Sequence, residues 1–180
     1  RALSADQALK DLDACYEAGI MMIMNLYPLT DEVDSVVDIV SRIRLLSDER
    51  VINHPALYGY VIKDEPFLHD QNAGRGLEIS YRLVREYDTK HPVFSVEPHL
   101  TDIKKTSRYV DILIGDFYAS ATSDGVKTRT EGSVEIMNGR PLFTLIEAYS
   151  AQKDDKFPNG SEVRNNMWKA YLAGSMASGY

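Results

Sequence analysis

The feature that most constrains this fold is a rhythm. Short apolar runs alternate with segments of helical periodicity along almost the whole chain. Ile20–Leu26 is such a run, stopped by Tyr27-Pro28, and Tyr58–Lys63, Val93–Val96, Asp111–Phe117 and Leu142–Ile146 read as further buried strands. Ser4-x-x-Gln7 has the form of a capping box and predicts a helix that runs to Gly19. Thr30 or Asp31 can cap a second helix, whose Val33, Val36, Val37, Val40 and Ile43 share one face. Leu77, Tyr81 and Val84 mark the inner face of a helix over Gly76–Asp88, which His91-Pro92 ends. Thr101–Tyr109 is a short helix, and a last one spans about Ser161 to Ser178.

Five strands alternating with helices imply parallel βαβ units, hence the α/β class. Two architectures compete: an open doubly wound sheet and a (β/α)8 barrel. No Gly-rich phosphate loop follows the first strand, and Gly74-x-Gly76 lies far from a strand end and lacks the third glycine, which weakens the dinucleotide-binding form of the open sheet. Five strands cannot close a barrel, so either the sheet is open or the chain is a piece of a barrel. A start on a helix, and an end at Gly179-Tyr180 where another strand would begin, favour the piece.

With 180 residues and 44% hydrophobic content the chain suits a single domain, residues 1–180, with a core of its own. A net charge of −7 argues against a nucleic-acid partner, which would want a basic face. No apolar stretch approaches the roughly 20 residues of a membrane span, so no membrane partner is expected. Cys15 is the only cysteine, which excludes a disulfide framework and a thiolate metal cage. His54, His69, His91 and His99 have no paired ligand spacing, so neither a metal nor another cofactor is expected.

What each strand delivers at its carboxyl end carries the chemistry. The first brings Asn25 and Tyr27, the second Asp64 and Glu65, the third Glu97 and His99, the fourth Asp116 and Tyr118, the fifth Glu147 and Tyr149. In Tyr58-Gly59-Tyr60-Val61-Ile62-Lys63-Asp64-Glu65-Pro66 an apolar run ends abruptly in two carboxylates and a proline. Pro66 lacks an amide donor and biases Glu65 away from helix, so the strand stops there. Acids at the carboxyl ends of parallel strands sit where α/β folds place their sites. Paired carboxylates can run glycoside hydrolysis if one is protonated to donate and the other ionised to attack, and tyrosines can bond the nucleophile or stack on sugar faces.

Asn53-His54-Pro55-Ala56-Leu57-Tyr58-Gly59-Tyr60 running into Asp64-Glu65-Pro66 resembles the fourth-strand region of clan A glycoside hydrolases. These are retaining (β/α)8 enzymes with an acid/base glutamate ending strand four and a nucleophile ending strand seven. The resemblance implies a partial TIM barrel, about strands three to seven, serving as a catalytic domain. It makes Glu65 the acid/base, Glu147 (in Pro141-Leu142-Phe143-Thr144-Leu145-Ile146-Glu147) the nucleophile and Tyr118 the nucleophile's hydrogen-bond partner. Asp64, Asp116, Glu97, Tyr27 and Tyr149 would meet the substrate, a carbohydrate, with further domains or strands outside the chain and an extracellular or periplasmic setting. One departure stands out. Asp64 occupies the place of an asparagine that contacts the sugar 2-hydroxyl; it can accept that bond but not donate, and its charge would raise the pKa of Glu65. A barrel that binds carbohydrate without turnover, or serves as a structural domain, is the alternative.

Other features read as ordinary structure. Trp168, with Val163, Met167 and Tyr171, has helical spacing and is expected in the core. Ala119–Gly139, with a short helix about Ser133–Asn138, and Ser150–Gly160 read as long loops; Asn159-Gly160-Ser161 forms a weak glycosylation sequon.

Overall fold

The computed structural model describes residues 4–26, 36–117, 123–146 and 159–179. In chain order its elements are α1 (Ala5–Glu17), β1 (Met22–Asn25), α2 (Val36–Leu46), α3 (Glu49–Ile52), β2 (Leu57–Asp64), α4 (Pro66–His69), α5 (Gly74–Tyr87) and β3 (Val93–Glu97). There follow α6 (Leu100–Thr106), a 3-10 turn (Ser107–Tyr109), β4 (Ile112–Asp116), α7 (Ser123–Met137), β5 (Leu142–Leu145), α8 (Gly160–Leu172) and β6 (Ala177–Gly179). The class is α/β, and the sheet order is β1-β2-β3-β4-β5-β6. A doubly wound sheet reverses its order at a switch point. This order never reverses, and β1–β2, β4–β5 and β5–β6 pair in parallel, as successive βα units of a barrel do. The chain divides into two compact units, Arg1–Asp64 with Asn72–Phe94, and Glu65–Gln71 with Ser95–Tyr180.

In the first unit Ser4 Oγ accepts from the Gln7 backbone N–H at 3.2 Å, but the Gln7 side chain donates to Asp11 at 2.9 Å, so only half of the capping box forms. Gly19, at φ 69°, ends the helix as expected. Helix α2 differs from expectation. Among its described side chains Arg42, Leu45 and Leu46 are buried, whereas Val40 is exposed; the side chains of Val36 and Val37, and Val33 with the proposed caps Thr30 and Asp31, lie outside the described residues. The guanidinium of Arg42 reaches Ser80 on α5, which lets a charged residue occupy the inner face. Helix α3 was not anticipated; Asp48 caps it and also chelates the Arg50 guanidinium at 2.6 and 3.0 Å. Strand β2 needs glycine at position 59: a Cβ there would lie 2.5 Å from the Pro92 carbonyl oxygen, the group that accepts from Tyr60 N–H at 3.0 Å.

Two apolar clusters appear among the described residues of the second unit. Ile103, Val110, Leu113, Phe117, Met137 and Leu142 form one, and Val126, Ile146 and Ala170 the other. Two expectations are corrected here. Most of Ala119–Gly139 is not a loop but the fifteen-residue helix α7. Its inner face carries Thr130 and Ser133, whose hydroxyls donate to the carbonyls of Val126 and Arg129 at 2.8 and 2.7 Å. These polar residues bury at little cost because the helix satisfies them itself. The last helix stops at Leu172, not near Ser178: Gly174 at φ 101° breaks it, and Ala177–Gly179 pairs with β5 as a sixth strand. Thr144 Oγ1 donates to Ser175 Oγ at 2.9 Å, which donates in turn to the Ala177 carbonyl at 2.6 Å and fixes the entry to β6.

Helix α8 begins at Asn159, whose side-chain oxygen accepts from Ser161 and Glu162 while Glu162 accepts from Asn159 N–H, a complete capping box on the residues of the sequon. Trp168, expected in the core, is 56% exposed and stands edge-on to Tyr171, also exposed; Asn166 and Ala170 are buried on α8, and Val163 and Met167 pack against the second cluster.

Candidate active site

Strand β2 ends as the sequence implies, and the residue after it turns sharply. Glu65 takes the left-handed conformation, φ 41° and ψ 50°, where the pre-proline effect alone favours an extended one. A non-glycine residue pays roughly 1–2 kcal/mol for this geometry, so the surroundings must hold it. They do so on both sides of the peptide. Glu65 N–H donates to the Val96 carbonyl at 3.0 Å, and the Glu65 carbonyl accepts from Leu68 N–H at 3.1 Å. Pro66 opens α4, where a missing N–H costs nothing. Phe67 is buried, and Lys105 of α6 lies 4.8 Å from its ring centroid while bonding Gln71 at 3.1 Å and Asp102 at 2.8 Å. Lys105 thereby pins the whole turn after Glu65 to α6.

Glu97 ends β3 and is fully buried, 0% exposed. Thr106 Oγ1, from the end of α6, donates to its Oε1 at 2.5 Å, whereas Oε2 has no hydrogen bond among the described residues. Burial pushes this carboxyl up to about 7, opposed by the Thr106 bond and the nearby Phe67 N–H and assisted by the negative charges of Asp102 and Glu65. Near neutral pH the group is therefore close to half protonated. Asp116 ends β4, 3% exposed, at the register position opposite Leu145 of β5. The pairing continues through Phe117 N–H to the Leu145 carbonyl at 3.3 Å, and Ile146 N–H donates to Gly179 at 3.0 Å.

Of the residues expected at the site, Glu65, Glu97 and Asp116 lie together in the second unit, each at the carboxyl end of its strand or just past it. The field of Glu65 reaches the buried carboxyl of Glu97. Asp64 is the exposed last residue of β2, in the first unit. Glu147, Tyr118, Tyr27 and Tyr149 lie outside the described residues; Tyr118 and Glu147 are the next residues of the sequence after Phe117 and Ile146. His99 is exposed at the start of α6, with no capping bond from its side chain. Sequence reasoning missed Thr106, Lys105 and Phe67. All three act through tertiary contacts, and no local motif marks them.

No family model matches the chain, and no curated protein matches it in sequence. Solved structures do match. A β-glucuronidase from an uncultured Clostridium superposes with a TM-score of 0.66 at 13% identity, over 93% of this chain and 34% of its own. A GH2 β-galacturonidase from Eisenbergiella tayi, bound to galacturonate, gives 0.67 at 15% identity with the same coverage. Bacteroides uniformis β-glucuronidase 2, covalently bound to cyclophellitol-6-carboxylate aziridine, gives 0.70 at 10% identity over 93% of this chain and 24% of its own. At such identities the likeness concerns the fold alone: a fold of the kind found in glycoside hydrolases. The chain spans 34% of the length of the first two structures and 24% of the third.

Proposed function

We propose that this chain carries the two carboxylates of a retaining glycoside hydrolase. The observation that carries the reading is the placement of Glu65: at the end of a parallel strand, in a left-handed turn held by Val96 and α4, within a fold shared with glucuronidase structures over 93% of the chain. Glu65 protonates the glycosidic oxygen while Glu147 attacks the anomeric carbon; Glu65 then takes a proton from the water that releases the sugar. What supports pairing Tyr118 with Glu147 is the register of β4 against β5, which runs together up to the residues just before them. Asp64, Asp116, Tyr27 and Tyr149 are assigned to substrate contacts. The uronic-acid glycosidases among the similar folds make β-glucuronides and β-galacturonides the first substrates to try.

The test is hydrolysis of a panel of 4-nitrophenyl glycosides, these two included. Turnover is expected, with loss of at least about a thousandfold in kcat on Glu147→Ala and recovery as a glycosyl azide when azide is added. Unchanged turnover in that variant would end the assignment. Asp64 favours a second reading, a carbohydrate-binding barrel without catalysis, since a carboxylate cannot donate where the related enzymes place an amide. Oligosaccharide binding by calorimetry with no turnover on any substrate would establish it.

A further inference from the structure

We infer that Glu97 is a positioning residue for Glu65: enclosed beneath the turn that follows β2, it holds that turn through its carboxyl and couples its own charge to that of Glu65. The inference rests on reading Glu65 as the acid/base. Four observations carry it. Glu65 occupies a strained backbone conformation that needs support from outside its own segment. That support comes from the end of β3, where Val96 accepts from Glu65 N–H and the very next residue is Glu97. The carboxyl of Glu97 is fully buried and faces the Phe67 N–H, two residues beyond Glu65. Thr106 fixes one of its oxygens and leaves the other without a hydrogen bond among the described residues, an arrangement suited to carrying a proton.

Among the described residues, three acids and one base bear on Glu97. Glu65 lies at the junction of β2 and α4, Asp102 on α6 with Lys105 paired to it at 2.8 Å, and Asp116 at the end of the neighbouring strand β4. Because the charge of Glu65 favours protonated Glu97, reciprocity requires that ionised Glu97 favour protonated Glu65. A general acid must hold its proton until the leaving oxygen needs it. Glu97 would prolong that state as pH rises through neutrality.

The experiment is a carbon-13 NMR titration of the protein with its glutamate side-chain carboxyls labelled, resonances being assigned with Glu65→Gln and Glu97→Gln. In the wild type the Glu65 resonance is expected to show a second inflection at the midpoint of Glu97, near 7. Glu97→Gln, which keeps the volume and the acceptor for Thr106, should abolish that inflection. Thr106→Val should move the midpoint of Glu97 upward and carry the Glu65 inflection with it by the same amount. A single-step Glu65 curve, identical in wild type and Glu97→Gln, would overturn the proposal, as would an unmoved Glu97 in Thr106→Val. In the hydrolysis assay Glu97→Gln should lower kcat with KM within about twofold, since the loss is in alignment rather than in substrate binding. Coupled titration in a protein that hydrolyses nothing would strike the acid/base reading and leave the coupling standing.

Discussion

Tyr60, in the middle of β2, donates its hydroxyl proton to Asp88 at 2.7 Å, tying the strand to the end of α5 from inside the first unit. The same carboxylate oxygen lies 2.8 Å from His91 Nδ1, and the other accepts from the backbone N–H of Lys90 and His91 at 2.9 and 3.1 Å. Burial pushes Asp88 up, but these hydrogen bonds, that of Tyr60 foremost, outweigh it and hold the carboxyl below its usual range; burial and Asp88 together push the Tyr60 hydroxyl well up.

Tyr60→Phe is therefore expected to cost about 1–3 kcal/mol, because it leaves a buried carboxylate one donor short. The sign of the pH effect follows from the depressed value. Asp88 contributes stability above the pKa of the unfolded chain, near 3.8, and loses it as pH falls through its lower folded value. Urea denaturation should show the deficit of Tyr60→Phe at pH 7 and its decline as pH falls through the lowered folded value, below which the carboxyl is protonated in both proteins. A constant deficit at every pH would mean that packing, not the bond, is what the hydroxyl supplies.

Glu97 has the opposite sign. Its folded value, about 7, stands above the 4.5 of an ordinary glutamate, so the folded state binds more protons between the two. Its stabilising contribution is complete below 4.5 and is lost as pH rises through about 7. In the charged form the burden is on the order of 3 kcal/mol at most. Glu97→Gln is expected to be more stable than wild type at pH 8.5 and to lose that advantage at pH 4.5, as read by chemical denaturation at both values. Parallel stability curves for the two proteins would show that Glu97 titrates alike folded and unfolded.

These two acids also mark how far the sequence could be read. The first five strands were legible because each is an apolar run that stops at a proline or a carboxylate, as at Asp64-Glu65-Pro66. Helix α7 was hidden because Thr130 and Ser133 occupy inward positions and bond their own helix, so no hydrophobic stripe shows. Strand β6 is only Ala-Ser-Gly, too short and too small to announce itself. Trp168 misled in the other direction: its spacing suits a core, and its neighbours Val163 and Met167 do pack against one, but Trp168 itself lies on the exposed side of α8. Glu97 was visible as a strand-end acid, while its bond to Thr106 depends on α6 folding back over β3, which no spacing encodes.

The conformation of Glu65 yields a stability prediction separate from chemistry. Alanine and glycine both remove the carboxylate, but only glycine accepts φ 41° without strain. Glu65→Gly is expected to be more stable than Glu65→Ala by about 1 kcal/mol, measured as the difference between their denaturation free energies. Equal stabilities would indicate that the turn relaxes once the side chain is gone and that the neighbours do not enforce it.

Gly59 offers the sharpest test of the first unit. A methyl group at this position would meet the Pro92 carbonyl oxygen at 2.5 Å and the Phe94 ring at 2.6 Å. Neither can yield cheaply, because that oxygen accepts from Tyr60 N–H and Phe94 is fully buried. Relief would require the start of β3 to move off β2, losing the hydrogen bond and disturbing the Asp88–His91 turn just before it. Gly59→Ala should therefore cost about 3 kcal/mol, the upper end for overpacking by a single methyl. Amide hydrogen exchange at Tyr60 should accelerate by more than about tenfold, reporting the loosened pairing. A smaller cost with Tyr60 still protected would mean that the two strands separate elsewhere to make room.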